Sequence, residues 1–370
     1  TTFSSVMHNL VAQTTLAIKA DAAVEAVKKA VKADQKPVIT LSNTMGSFIS
    51  DYAGRNGLKQ GDEIHLSFGD IFKAYLRKSL EVKVKEPGSK KDEEKTYDIR
   101  EMEEYDIPGR EKIVEMASRV ESLIARANLG GLPVSPIDYI IDTLGREGIR
   151  AGEITGRSAG IHYDADGRTT YYTRESGPAA KVRASGGFNG GDLDCLIINR
   201  AGSTGISLHA SEKFADQRRR NMIIVQPDLN IDVFMQTLGR VFRTGQVVPP
   251  TYQFLLSDMP SEKRPAAVLG KKMASLNANT TASAKGTQSF DNIPDFLNMY
   301  GDQAAYELLS EDEELNRTLG YPLEDSGKTA DIAGLAAKMT GKIPLLKVKQ
   351  QEEVYERLEA LYKSAVELAD

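Results

Sequence analysis

Hydrophobic and polar positions along the chain follow two different periods, and the places where the period changes mark out its elements. From residue 5 to about residue 34, alanine and valine recur at three-to-four spacing with lysines between them, which predicts one or two amphipathic helices. Pro37 breaks that pattern. KPVITLSNT (36–44) is a β-branched apolar run ending in small polar residues, as expected of a buried strand that feeds a loop. Farther on, SPIDYIIDTLGREGI (135–149) restores the helical period, with Ser135 as N-cap and Pro136 at the first helical position. AGEITGR (151–157) reads as a short strand ending at Thr155 and Gly156, and LDCLIINRAGSTGISLHA (193–210) as a buried strand followed by a glycine-containing loop. RRNMIIVQPDLN (219–230) is another strand, IDVFMQTLGRVFRTGQ (231–246) a helix, and TYQFLLSD (251–258) a last strand.

Three stretches depart from this alternation. Residues 51–135 contain a glycine-rich turn (GRNGLKQGD), an amphipathic piece (IFKAYLRKSLEVKV), a charge run from Glu86 to Asp106 and a helical stretch (GREKIVEMASRVESLIARANL). They are expected to form a largely helical insertion between a strand and its partner helix, with the charge run a solvated excursion. Residues 157–185, rich in tyrosine, glycine and charge, predict a hairpin or an irregular loop. Residues 274–290 are small and polar and predict a loop or a segment ordered by a partner, and 331–370 return to a helical pattern. The expected organisation is leading helices over 1–36, an α/β unit over 37–260 and a helical extension over 261–370.

Strands alternating with helices imply a parallel sheet covered by helices on both faces. In such sheets the working loops lie beyond the carboxyl ends of the strands. The polar clusters SNT (42–44), TGR (155–157) and AGSTG (201–205) each follow an apolar run, so all three fall at that edge.

Composition narrows the chemistry. With 370 residues, 41% hydrophobic and 27% charged, the chain reads as soluble and globular, and no apolar run approaches the ~20 residues of a membrane span. The N-terminal residues lack a basic-then-apolar signal pattern, so a cytoplasmic location is expected. A single cysteine, Cys195, lies in an apolar run, where burial is its expected role. Four scattered histidines offer no ligand spacing, and no metal site is expected. The net charge of −5 means that any grip on nucleic acid must be local.

Two loops carry candidate chemistry. In AGSTGIS the glycines allow close backbone approach, and the hydroxyls of Ser203 and Thr204 with nearby amides can donate to phosphate oxygens; a tight strand-to-helix turn accounts for the same residues. In QTLGRVFRTGQ (236–246), Gln236, Gly239, Arg240 and Arg243 share one face if the segment is helical, and an amphipathic helix with solvated arginines is the simpler account. Against it, a glycine inside a helix costs roughly 1 kcal/mol relative to alanine, so Gly239 suggests a close approach.

Gln236-x-x-Gly239-Arg240-x-x-Arg243, followed by Gly245 and Gln246, resembles motif VI of superfamily 2 helicases and translocases, and RAGSTGISLHA resembles their motif V. With KPVITLSNT and AGEITGR the ordered set covers residues 37–246 and is similar to the second RecA-like lobe of Swi/Snf-type ATPases. The segment beyond residue 260, with DFLNMYGDQAAYELL and a final helical stretch, resembles the Strawberry notch-like helicase C-terminal domain, whose relatives include nuclear regulators and phage or bacterial DNA-defence and antirestriction proteins. Where such proteins often carry a basic motif, this chain has SLNANTTASAKG.

The resemblance implies a RecA-like lobe of an ATP-dependent helicase or translocase. It implies Arg243 as arginine finger, Arg240 as a second phosphate contact and Gln236 as orienter of water or sensor of the γ-phosphate, with Gly239 and Gly205 also at the nucleotide. It implies that Ser42, Thr44, Thr155, Gly156, Ser203 and Thr204 grip a nucleic-acid backbone, with DNA the expected track. No G-x-x-x-x-G-K-[ST] loop or acidic strand-end motif stands in the chain. ATP with Mg2+ is therefore expected to bind only when a first RecA-like lobe, in the same parent chain or a separate subunit, completes the cleft. Two other readings share these residues: a RecA-like lobe kept as a non-catalytic scaffold, and an unrelated nucleotide-binding enzyme on a doubly wound sheet.

Overall fold

The computed structural model describes residues 3–85, 94–228, 230–280, 295–324 and 332–369. The chain divides into two compact units, Thr1–Gln226 with Val241–Thr251, and Pro227–Arg240 with Tyr252–Asp370.

The first unit opens with α1 (Phe3–Ile18) and α2 (Ala20–Lys32), the two helices expected from the alanine and valine spacing; α2 buries Ala23, Val24, Val27 and Ala30 on one face. After β1 (Lys36–Thr40) come α3 (Gly46–Asn56), α4 (Phe68–Ser79), β2 (Glu81–Lys85), β3 (Glu94–Asp98) and α5 (Arg110–Arg126). Ser67 starts α4 with a reciprocal capping box: its hydroxyl accepts from the Asp70 amide while Asp70 accepts from the Ser67 amide. The insertion is mostly helical, with one difference. The amphipathic piece ends as a helix at Ser79, and EVKVK pairs antiparallel with Glu94–Asp98, because alternating valine and charge has the period of a strand. Residues 86–93 of the charge run lie outside the described residues, while Ile99 and Met102, near its end, are buried.

The unit continues with α6 (Pro136–Arg146), β4 (Ala151–Ile154), β5 (Ala159–Tyr163), β6 (Thr169–Thr173), α7 (Pro178–Gly190), β7 (Cys195–Ile198), α8 (Arg200–Ser203) and β8 (Arg220–Ile224). The expected hairpin is β5 with β6; α7 begins inside the remainder of that stretch, started by Pro178. Strands β4, β7, β1 and β8 lie side by side in that order, all parallel. Being covered on both faces, β7 and β1 are buried at every position, which is why they read as unbroken apolar runs. The register aligns Ile154 with Ile198, Ile198 with Thr40 and Thr40 with Ile224. The last residues of four strands thus form one row, and the loops after them leave the same edge of the sheet.

At the opposite edge Lys36 and Arg220 are fully buried. Both lie over the Phe188 ring, and Asp216 forms an ion pair with Lys36 and a second one with Arg218 at 2.6 Å. A second apolar cluster, including Ile49, Phe68, Ile71, Val134 and Ile161, joins the insertion helices to the β5–β6 hairpin.

The second unit contains α9 (Ile231–Leu238), all of β9 (Thr251–Phe254) beyond its first residue, α10 (Pro260–Thr280), α11 (Met299–Glu311), α12 (Glu313–Thr318), α13 (Leu335–Lys342) and α14 (Val348–Glu367). Its core is built from Phe296, Leu308, Leu309, Leu335, Met339, Ile343, Tyr355 and Leu358. Residues 274–280, expected to form a loop or a segment ordered by a partner, fall within the last two turns of α10. The rest of that polar segment, through residue 290, lies outside the described residues. No helix among the described residues is long and apolar enough to cross a membrane.

Candidate functional site at the strand ends

The row of strand ends places the SNT, TGR and AGSTG loops at one edge of the sheet, and each is held there by its own short-range bonds and contacts. Asn199, directly after β7, caps α8 by accepting from the Gly202 amide at 2.8 Å. Gly202 sits so close to the end of β4 that a Cβ built on it would lie 2.0 Å from the Ile154 carbonyl oxygen. This is where a glycine is required for close approach. Gly205, three residues on, has φ +79° with open space around it, so its role is the turn itself.

Gln226, two residues beyond β8, organises the loop after β1. Its side-chain oxygen accepts from the amides of Ser42 (3.3 Å) and Asn43 (3.2 Å) and from the Ser42 hydroxyl (3.3 Å), while its amide nitrogen donates to the Ala12 carbonyl at 2.9 Å. The Thr44 carbonyl accepts from the Gln13 side chain at 3.4 Å. Thr155 is buried, and its hydroxyl donates to Glu153 at 2.5 Å. That hydroxyl is committed inside the protein, whereas neighbouring Gly156 and the Thr204 side chain are exposed. The Thr204 carbonyl accepts from Lys181 of α7. Ser203 closes α8.

Beneath the TGR loop lies a buried ionic cluster. Arg157 donates to both oxygens of Asp138 at 2.6 Å, to Glu153 at 2.9 Å and to the Ala159 carbonyl at 3.2 Å. Asp138 also accepts from the hydroxyls of Ser135 (2.5 Å) and Tyr172 (2.5 Å) and from the Ile161 amide (2.8 Å). Burial alone would raise the Asp138 pKa, but the Arg157 guanidinium and the two hydroxyls outweigh it and hold the carboxyl below its ordinary range. Ser135 stands at the N-cap position of α6 as expected, yet its hydroxyl serves Asp138 rather than a backbone amide. A Cβ added to Gly46, at the start of α3, would lie 2.6 Å from Arg157 Cβ, so the loop after β1 rests on the same arginine.

The arginine motif has a different geometry from the single helix expected. Helix α9 ends at Leu238, and Gly239 is its C-cap, with its amide donating to the Met235 carbonyl. Gly239 therefore terminates the helix; its nearest non-bonded neighbours, the Met235 and Gln236 carbonyls at 3.4 and 3.5 Å from an added Cβ, are its own preceding turn rather than an approaching group. Gln236 is exposed on α9 and Arg240 half-exposed in the turn beyond it, both in the second unit.

Arg243 belongs to the first unit, beyond the end of the helix. It is exposed, and its Nη1 donates to the Ser207 hydroxyl at 2.7 Å. Its amide donates to the Gln246 side chain at 3.3 Å and its carbonyl accepts from the Gln246 amide, a turn completed by Gly245 at φ +87°. Val247 then donates to the Ala210 carbonyl at 2.8 Å, so the stretch after the arginine is bound along its length to the stretch after AGSTG. His209 between them is buried, its Nδ1 without a hydrogen-bond partner; burial, with Arg243 and Arg220 nearby, lowers its pKa and favours the neutral ring.

Asn199, Ser207 and Gln226 were not singled out from the sequence, and Gly202 only as one of the small residues of its loop. Asn199 could have been, as an N-cap residue directly after an apolar strand. Nothing local marks Gln226, because its partners lie more than 180 residues away. Among the described residues no group of histidine, cysteine or acidic side chains could hold a metal ion.

A parallel sheet whose strand-end loops carry the polar clusters in this order is the C-terminal domain of a superfamily 2 helicase. The family model described as "C-terminal domain on Strawberry notch homologue" matches residues 135–369, more than half of the chain, and the chain belongs to that family. It is 34% identical over 184 residues to human protein strawberry notch homolog 2, an alignment covering 48% of this chain and 13% of that protein. It is 32% identical over 249 residues to Drosophila melanogaster protein strawberry notch (62% and 14%), and 28% identical over 184 residues to FORGETTER 1 of Arabidopsis thaliana (48% and 14%). The chain thus spans about one seventh of the length of these curated relatives.

Proposed function

We propose that this domain is the second motor lobe of an ATP-dependent nucleic-acid helicase or translocase, with DNA as its track, and that Arg243 is its arginine finger. The observation that supports this reading best is the 2.7 Å bond from Arg243 to Ser207, which ties the arginine motif to the glycine-rich loop while leaving the guanidinium exposed. Arginine suits the role because its planar fork stays charged and can donate several bonds to a γ-phosphoryl group. Arg240 would make the second phosphate contact and Gln236 would orient the attacking water, with Gly239 and Gly205 near the nucleotide. A first RecA-like lobe would supply the phosphate loop and the Mg2+ ligands, which this chain lacks in its sequence.

Along the strand ends, exposed Gly156 and Thr204, with Ser203 and Thr44, would meet the phosphate backbone, while Ser42 would hold its loop in place through Gln226. Amides and hydroxyls read no bases, which suits a motor that must step along any sequence. Thr155 contributes by holding Glu153 rather than by touching the track. Closing of the cleft on ATP would then be transmitted through the loop that carries Gly205 to this grip.

The test is nucleic-acid-stimulated ATP hydrolysis by the domain joined to its first lobe. Arg243→Ala should lower the rate on the order of 10³-fold, the scale of arginine fingers elsewhere, and Arg243→Lys should recover little of it. Equal hydrolysis by wild type and Arg243→Ala would remove the finger assignment, and absence of any stimulated hydrolysis in the joined protein would favour a scaffold.

A further inference from the structure

Helix α5 of the insertion carries two apolar faces, and only one of them is packed. Ala117 packs with Leu80 and Ile99, and Ile124 lies against Gly69 of α4, with Ala117 3% exposed and Val114 half-buried on the same side. About a quarter-turn around the helix, Ile113, Met116, Val120 and Leu123 form a second stripe and are 39%, 55%, 39% and 63% exposed. Their 3-4-3 spacing is that of the first and fourth positions of a heptad, the seam along which two helices interlock. Solvated helix faces seldom hold four large apolar side chains in register, and such a patch marks an interaction surface.

The charges beside the stripe define what fits it. Lys112, Arg119 and Arg126, each seven residues from the next, border the stripe on its solvent side and are exposed; among the described residues none of the three is held in an ion pair. Of the acidic residues of the helix, Glu111 and Glu121 lie on other faces, with Glu121 already engaged by Arg100 at 2.8 Å, while Glu115, three residues after Lys112 and four before Arg119, flanks the basic row on the side away from the apolar stripe. A second copy of this helix is a poor match: packed antiparallel it would set the basic row against itself, and packed parallel it would set that row against Ala117 and Ile124. The residues of α5 also lie outside the family match over 135–369, so this face is not part of what defines the helicase domain.

We propose that α5 is a docking helix for a partner protein, which binds through an α-helix carrying apolar residues at heptad spacing and a flanking row of aspartate or glutamate. Pairing buries both seams, and the basic row fixes partner and orientation by meeting the acidic one.

The probe is a fluorescein-labelled synthetic peptide of three heptads, with leucine at the two seam positions and glutamate at the flanking ones, whose like charges keep it from pairing with itself. Fluorescence anisotropy with the full chain should give saturable one-to-one binding that weakens as salt rises. Met116→Glu with Leu123→Glu should weaken it at least tenfold. The triple change Lys112→Glu, Arg119→Glu and Arg126→Glu should transfer binding to the same peptide with lysine in place of glutamate. These positions are exposed, and unchanged far-UV circular dichroism and melting will show that each variant is folded. No saturable binding, or binding indifferent to the seam changes, overturns the proposal. So does a seam-dependent dimer of the chain alone in sedimentation, which would make a second copy the occupant, or seam-dependent binding to 70:30 phosphatidylcholine–phosphatidylserine vesicles without peptide binding, which would make it a membrane face.

Discussion

Replacing Gly202 by alanine tests whether the glycine-rich loop is built against the end of β4. The added methyl carbon would meet three backbone atoms: the Ile154 oxygen at 2.0 Å, the Ile154 carbon at 2.4 Å and the Thr155 nitrogen at 2.8 Å. Real Cβ contacts essentially never fall below 3.0 Å, so α8 must retreat from the sheet by about 1 Å or more. No side chain can swing aside, and β4 is itself held in register by β7. Overpacking costs typically 1–3 kcal/mol, and backbone against backbone puts this case near the upper end. Moving α8 also stretches the Asn199 cap to the Gly202 amide, now 2.8 Å, which adds about 1 kcal/mol. Together these give a loss of about 3–4 kcal/mol out of the 5–15 kcal/mol typical of a domain.

Urea unfolding followed by far-UV circular dichroism measures the loss, and two other glycines calibrate it. Gly205→Ala adds a methyl in open space at φ +79°, and should cost only the left-handed strain of about 1–2 kcal/mol. Gly239→Ala, at φ −65° with ordinary neighbours, should be neutral or stabilising by up to about 1 kcal/mol. The reasoning fails if Gly202→Ala unfolds no earlier than Gly205→Ala, since the loop would then not rest on the Ile154 carbonyl. It also fails if Gly239→Ala is the most damaging of the three, since that would restore a close approach at the arginine motif.

Three further outcomes follow from the buried groups and the arginine. Asp138 has a folded pKa below its unfolded value near 4, so its contribution is present above about pH 4 and is lost as pH falls through the folded value; Asp138→Asn should cost about 3–5 kcal/mol at pH 7 and flatten the acid limb of urea midpoints measured from pH 6 to 3. Cys195 is fully buried, and burial first, then the Asp194 charge, push its thiol pKa up, so a maleimide should label it at least a hundredfold faster in 8 M urea than in the native protein, as read by mass spectrometry. Removing the Ser207 hydroxyl takes away a bond to a charged group worth about 1.5–3 kcal/mol in other proteins; Ser207→Ala should lower stimulated hydrolysis by the joined lobes roughly tenfold, and by nothing further when Arg243 is already alanine.

What was legible in the sequence was whatever depends on local pattern. Unbroken apolar runs announced β1, β7 and β8, and strand–helix alternation announced the parallel sheet and the edge where the polar clusters gather. Elements decided by competition between signals were less legible. IDVFMQTLGRVFRTGQ keeps an apolar helical spacing through Val241, but the helix ends at Leu238 and the chain turns toward the 207–211 stretch. EVKV reads in sequence only as part of an amphipathic piece, and its strand shows in its pairing with residues 94–98. Least legible were side chains whose meaning is a distant partner. Gln226 reaches back to Ser42, and Arg157, besides its near partner Glu153, reaches Asp138 on another element; no local pattern gives either distant pairing away.

Those distant partners also redistribute the work among the strand-end residues. Small polar residues after a buried strand can either face a ligand or tie the loop down, and sequence spacing cannot separate the two. Here Thr155 and Ser42 point their hydroxyls at Glu153 and Gln226, while Gly156 and Thr204 are exposed, the Thr204 hydroxyl donating to the Arg200 carbonyl of its own turn at 3.3 Å. A phosphate at this edge would thus meet a few exposed donors on loops that inward-facing hydroxyls, Gly202 and the Arg157 cluster hold rigid. Rigidity of that kind matters for a backbone grip, because amides can serve a moving track only if they keep their spacing while the track changes. Under the proposed function, the inward-facing residues would set the geometry of the grip and the exposed ones would make its contacts.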